Sequence, residues 1–130
     1  FYDTMKSKTR KDDKLQMIHQ MNLHNGPFQM ILNRQKTIEL RLYDEKRSKI
    51  SVGDKIEFTN TSAPYDTLTV VVEHIYKFPT FEELYHTLPL GLCGYKEEEL
   101  QNAKASDMLA YYTLEQQKKY GVLGIAVKLL

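Results

Sequence analysis

The chain has 130 residues, 42% hydrophobic and 27% charged, proportions that suit one domain around one core. Eighteen basic residues against 17 acidic ones leave a net charge of +1, so bulk charge excludes no class of partner and any basic surface must be local. The single cysteine, Cys93, excludes an internal disulfide, and no apolar run approaches the roughly 18 residues of a membrane helix. With a charged amino end that lacks an apolar leader core, these features give the expectation of a cytoplasmic protein with no membrane contact.

Residues 1–14 (FYDTMKSKTRKDDK) are polar and aperiodic and read as a flexible arm, with residues 15–130 as a single domain. Met17 to Leu23 alternates loosely and predicts a first strand. Asn25-Gly26-Pro27 is turn chemistry, and Pro27 suits the first position of a helix carrying Phe28, Ile31 and Leu32 to about Arg34. Lys36 to Arg47 (KTIELRLYDEKR) comes next. Ile38, Leu40 and Leu42 alternate with Thr37, Glu39 and Arg41, the mark of a strand with one apolar and one polar face. Val52-Gly53-Asp54 is a turn, Lys55 to Thr59 a strand, and Asn60 to Asp66 a loop. Leu68 to Tyr76 is β-branched and nearly continuous, as a central strand is, with His74 read as a satisfied core histidine.

Thr80 followed by Glu83 resembles a capping box and predicts a helix to about Thr87, ended by Pro89 and Gly91. Leu92 to Tyr95 reads as a loop. Ser106 is placed as the cap of a helix carrying Met108, Leu109 and Tyr112, with Tyr112 in the core. Thr113 with Gln116 predicts a further cap, Gly121 a stop, and Val122 to Leu130 a closing strand. The order is β-α-β-β-β-α-α-β, an α+β class built as a small mixed barrel with flanking short helices.

Few chemistries are available. His19, His24, His74 and His86 have no metal-ligand spacing and no second cysteine to join, so neither metal nor cofactor is expected. There is no nucleophile elbow and no Gly-rich phosphate loop, and Cys93 reads as an inert loop or core thiol. The polar strand remains. Lys36 and Glu39, three apart, share a site only if the strand begins after Lys36 or bulges there. Arg41 shares the face of Glu39, and Tyr43 follows by parity as a stacking candidate. A guanidinium binds phosphate bidentately, a carboxylate accepts from base amines, and a buried Lys-Glu-Arg cluster is costly without a ligand or a complete network. Lys46 and Arg47, with Lys49, are candidates for phosphate contacts along the same cleft.

Three stretches carry a resemblance: His19 to Phe28 (HxMxLxxxPF), Arg34 to Arg41 (RQKTIELR) and Val52 to Asp54 (VGD). Together they resemble the ASCH domain, a relative of the PUA domain, whose signature is GxKxxExR. Lys36, Glu39 and Arg41 match it, while Arg34 stands where the glycine is usual. The resemblance extends over about residues 17–130, with the later DMLAYYTLEQQKKYGVLGI similar to the bacterial branch. It implies a PUA-like mixed β-barrel and a cleft lined by the signature residues, with RNA or a modified nucleoside or nucleotide as partner. One branch of the family hydrolyses the acetyl amide of N4-acetylcytidine. That branch has a threonine where this chain has Glu39, so only a variant mechanism carries over. An enzyme on this plan, an amidohydrolase or another nucleoside or RNA hydrolase, would use Lys36 and Glu39 as catalytic groups, Thr37 as a helper, and Glu82 or Glu83 as a distal carboxylate. A protein-interaction module with a purely structural Lys36-Glu39-Arg41 network is the third reading.

Overall fold

The computed structural model describes residues 17–130, so the arm read at residues 1–14 lies outside the described residues. The elements are β1 (Ile18–Leu23), α1 (Asn25–Leu32), β2 (Ile38–Leu42), β3 (Lys55–Asn60), β4 (Ala63–Phe78), α2 (Phe81–Thr87), α3 (Leu114–Tyr120) and β5 (Val122–Leu129). Short 3-10 turns fill the remainder between α2 and α3. The five strands form one sheet in the order β1-β3-β4-β5-β2. Only β1 and β3 run parallel; the other pairings are antiparallel. The sheet curls into an α+β, PUA-like half-barrel, and its two edge strands, β1 and β2, flank the seam.

Two apolar clusters hold it. The inner one gathers Phe28 and Ile31 of α1 against Ile56, Phe58, Val70, Val72, Leu123 and Ile125 of the sheet. The outer one sets Phe81, Leu84 and Leu88 against Ile38, Leu40 and Val122. Each fully buried side chain of this size contributes roughly 1.5–3 kcal/mol by leaving water. β2 lies between the clusters. Its Ile38, Leu40 and Leu42 enter the outer cluster, while Glu39 and Arg41 stand opposite Ile125 and Leu123, two inner-core residues. Directly opposed residues share a face of the sheet, so the polar side of β2 is turned into the barrel and not out to water.

Several expectations need correction. α1 starts at Asn25, which makes Pro27 its third residue. This costs nothing, because the first four helical N–H groups have no partner within the helix. The expected loop at Asn60 to Asp66 is a tight turn: Asn60 is buried, its Oδ1 accepts from the Ser62 amide at 2.8 Å, and β4 begins at Ala63. His74 is exposed, because the β4–β5 register breaks between Val72 and His74; its ring lies 4.3 Å from that of Tyr76. Ser106 caps nothing. A 3-10 turn, Ala105–Ala110, starts from Lys104, whose amide donates to the Asp107 carboxylate. Tyr112 is half-buried: it stacks on Phe81 at 6.1 Å and turns its other side to a cleft. The Thr80 and Thr113 caps form as expected, each hydroxyl accepting from the amide three residues on.

Candidate functional site

β2 begins at Ile38, so Lys36 precedes the strand and is free of its alternation. Lys36 and Glu39 therefore meet: Lys36 Nζ lies 2.8 Å from Glu39 Oε1. That oxygen has no aligned hydrogen-bond donor, so the contact is one of charge. Arg41 Nε donates to Glu39 Oε2 at 2.6 Å, and Arg41 Nη2 donates to the Asn22 carbonyl of β1 at 2.7 Å. That second bond crosses the seam between β1 and β2. Gly94 packs beside the Lys36 side chain. A Cβ at Gly94 would stand 3.4 Å from Lys36 Cδ, and the backbone there is left-handed at φ 113°, which favours glycine.

Glu39 is 4% exposed and Lys36 9%. Burial of this depth pushes a carboxyl pKa up, yet the Glu39 pKa falls below its ordinary value because the neighbouring Lys36 and Arg41 outweigh burial. Arg41 shows the mirror effect: burial works against its charge, and Glu39 more than restores it. Two cations against one carboxylate leave the floor of the site with one net positive charge. Arg41 Nη1 makes no hydrogen bond within the described residues.

The trio forms the floor of a cleft of about 600 Å³. This is ample for a nucleoside, since small-molecule sites run about 300–1,000 Å³. Its walls carry Tyr85, Tyr95, Tyr111 and Tyr112, with Met30 and Pro27 on the α1 side. Tyr111 is 63% exposed, which leaves its ring free for stacking. Tyr85 donates to the Tyr95 hydroxyl at 2.8 Å and Tyr95 donates to Asp107 Oδ2 at 2.7 Å, a relay at the rim. Burial and the Asp107 carboxylate push the Tyr95 hydroxyl far above the ordinary phenol range, so it remains a proton donor.

The other candidates are placed elsewhere. Thr37 does not line the cleft; its amide donates to the Leu92 carbonyl and its carbonyl accepts from the Val127 amide. Tyr43 keeps the face of Arg41 but lines a neighbouring recess, where its hydroxyl accepts from Lys77 Nζ at 3.0 Å. Arg47 lines the same recess and pairs with Asp44 at 2.8 Å, while Lys46 is exposed. Glu82 and Glu83 are exposed and away from the cleft, whose rim carboxylates are Glu99 and Asp107. Cys93 lines the cleft but is buried, and burial raises its thiol pKa to about 11. Among the described residues no group of three or more His, Cys, Asp or Glu converges on a metal position, and no helix is long and apolar enough to cross a membrane.

The tyrosine wall was missed in the sequence. Its members come from three separate segments, and no spacing rule links them. The one signal available was the abundance of tyrosine itself, nine in all.

No curated protein matches the chain. Among solved structures, hypothetical protein PH0355 is similar with a TM-score of 0.71 and 31% identity, over 88% of this chain and 100% of that one. Protein PF0455 from Pyrococcus furiosus is similar with a TM-score of 0.64 and 34% identity, over 88% of this chain and 98% of that one. ZmASCH from Zymomonas mobilis, at 11% identity, shares the fold alone: its TM-score is 0.61, over 87% of this chain and 70% of that one. The family model for the ASCH domain matches residues 21–130, a span that holds Lys36, Glu39 and Arg41, and the chain belongs to the ASCH domain family.

Proposed function

We propose that the cleft binds RNA or a nucleotide, with Lys36 and Arg41 holding phosphate or a base carbonyl and Glu39 fixing both cations. The observation that carries this reading is the buried Lys36-Glu39-Arg41 network at the floor of an open cleft. Such a network gives little net stability over apolar packing. A ligand that takes up its surplus positive charge accounts for its retention, and the surrounding tyrosines give bases a surface to stack on. Glu39 is sealed beneath its two partners, which favours a positioning role over direct acceptance from a base amine. The test is fluorescence anisotropy with short single-stranded and duplex RNA at two salt concentrations. Micromolar binding that weakens with salt and is lost in both Lys36→Ala and Arg41→Ala is the expected result. Binding retained in an Arg41→Ala protein of lowered stability would assign Arg41 a purely structural role.

The Lys36–Glu39 contact favours a second reading, hydrolysis of an acylated nucleoside amine. The two groups sit 2.8 Å apart on the cleft floor, so both can reach one bound amide. Water would add to the acetyl carbonyl of N4-acetylcytidine, and cytidine and acetate would leave. Incubation followed by chromatography decides it: cytidine no higher than in a Lys36→Ala control removes this reading.

A further inference from the structure

Beside the cleft lies the second recess, of about 530 Å³, lined by Tyr43, Arg47, Ser51, Ile75 and Lys77 among others. Its charges are unusual for a chain so nearly neutral. Lys77 Nζ stands 4.4 Å from the centre of the Tyr43 ring and donates to the Tyr43 hydroxyl. An ammonium carries three donors, so two are left over. Arg47 Nη1 is paired with Asp44, but Arg47 Nε is buried and has no acceptor within the described residues. That nitrogen is closed to solvent, so a ligand in the recess would meet Arg47 on the part of the side chain that stays open, 18% of its surface. With Asp44 counted, Arg47 and Lys77 leave one net positive charge, and the donors outnumber the acceptors.

The recess and the cleft are neighbours. Tyr43 continues the ladder of β2, its amide donating to the Gly121 carbonyl at 2.9 Å. It follows Arg41 by two residues on the same face, about 7 Å along the strand. Tyr112, which lines the cleft, feels the charges of both Arg41 and Arg47. A single-stranded chain with one base over Arg41 would thus bring the phosphate of an adjoining nucleotide to Arg47 and Lys77.

We infer that the Arg47–Lys77 recess is a phosphate site, occupied by a backbone phosphate of the same RNA strand whose base enters the cleft. This rests on the RNA-binding reading above, and it adds that the ligand is an oligonucleotide and not a free nucleotide. Planar guanidinium and mobile ammonium are the two side chains suited to a phosphodiester, one for geometry and one for charge.

The experiment compares wild type with Arg47→Gln and Lys77→Gln. Its probes are a labelled oligoribonucleotide, a nucleoside monophosphate and inorganic phosphate. The expected result is a roughly tenfold weaker oligonucleotide affinity in each variant, with monophosphate affinity unchanged. The salt dependence should flatten by about 0.7 in log–log slope, one phosphate contact on a single strand. Lys77 is exposed, so its variant carries the test if Arg47→Gln does not fold. Oligonucleotide affinity and salt slope equal to wild type in Lys77→Gln would overturn the inference while leaving the cleft reading intact. Wild type that binds neither RNA nor monophosphate would overturn both. Titration with inorganic phosphate, followed through the Arg47 Nε–H resonance, separates the sources. A shift there with no effect of Lys77→Gln on RNA binding marks a free-phosphate site and overturns the shared-strand proposal.

Discussion

Replacing Glu39 by glutamine preserves its volume and removes its charge, leaving Lys36 and Arg41 facing each other with no negative charge between them. Both partners lie deep, with side chains 10% and 13% exposed, so water compensates little. Removing one member of a buried ion network costs about 3–5 kcal/mol, because the remaining charge stays desolvated. For a domain of this length each kcal/mol moves the melting temperature by roughly 3–5 °C. Glu39→Gln should therefore melt about 10–20 °C below wild type at pH 7, read by circular dichroism. The pH dependence follows from the lowered carboxyl pKa. The folded state holds Glu39 below its ordinary value of 4.5, so its stabilisation is in force above that pH and fades as pH falls through the lowered folded value. The gap between wild type and Glu39→Gln should narrow on acidification below about pH 4.5 and persist at neutral pH. A variant melting within a degree of wild type at pH 7, or a gap that stays constant into acid, would refute the claim that the carboxylate neutralises two buried cations.

Further outcomes follow from the same geometry. The triple variant Lys36→Met, Glu39→Leu, Arg41→Met should recover most of the stability that Glu39→Gln loses, since apolar packing often matches a buried ion network; anisotropy should still show no RNA binding. Gly124→Ala should cost about 1–3 kcal/mol in urea unfolding, because its Cβ would stand 2.6 Å from Leu88 Cδ1 inside the outer cluster. Cys93 should react with a disulfide reagent at pH 8 far more slowly in the native protein than in urea, being buried with its thiol pKa at about 11.

How much could be read in advance depends on the range of the interaction. The alternation of Ile38, Leu40 and Leu42 is local, and it announced β2 and its apolar face correctly. The same alternation is silent on what covers the other face, so nothing local shows that Glu39 is sealed inside the half-barrel. The meeting of Lys36 with Glu39 depended on where the strand starts, a boundary set by the Thr37–Leu92 backbone bond across the chain. Thr80 and Thr113 were legible because a cap is completed within three residues. His74 was misread because its exposure follows from a register break against β5, a partner more than fifty residues away. The Tyr43–Lys77 pairing, 34 residues apart, left no trace in either segment.

The bond from Arg41 to the Asn22 carbonyl joins one edge of the sheet to the other. Among the described residues, β1 is otherwise held within the sheet by β3 alone. One guanidinium thus serves both the closure of the domain and the floor of its cleft, which makes the two equilibria thermodynamically linked. A ligand that strengthens the hold of Arg41 on β1 must slow hydrogen exchange along that strand, and one that draws the guanidinium away must hasten it. The coupling runs equally in reverse. Whatever factor the ligand applies to the opening of that edge, the opening applies to the affinity for the ligand.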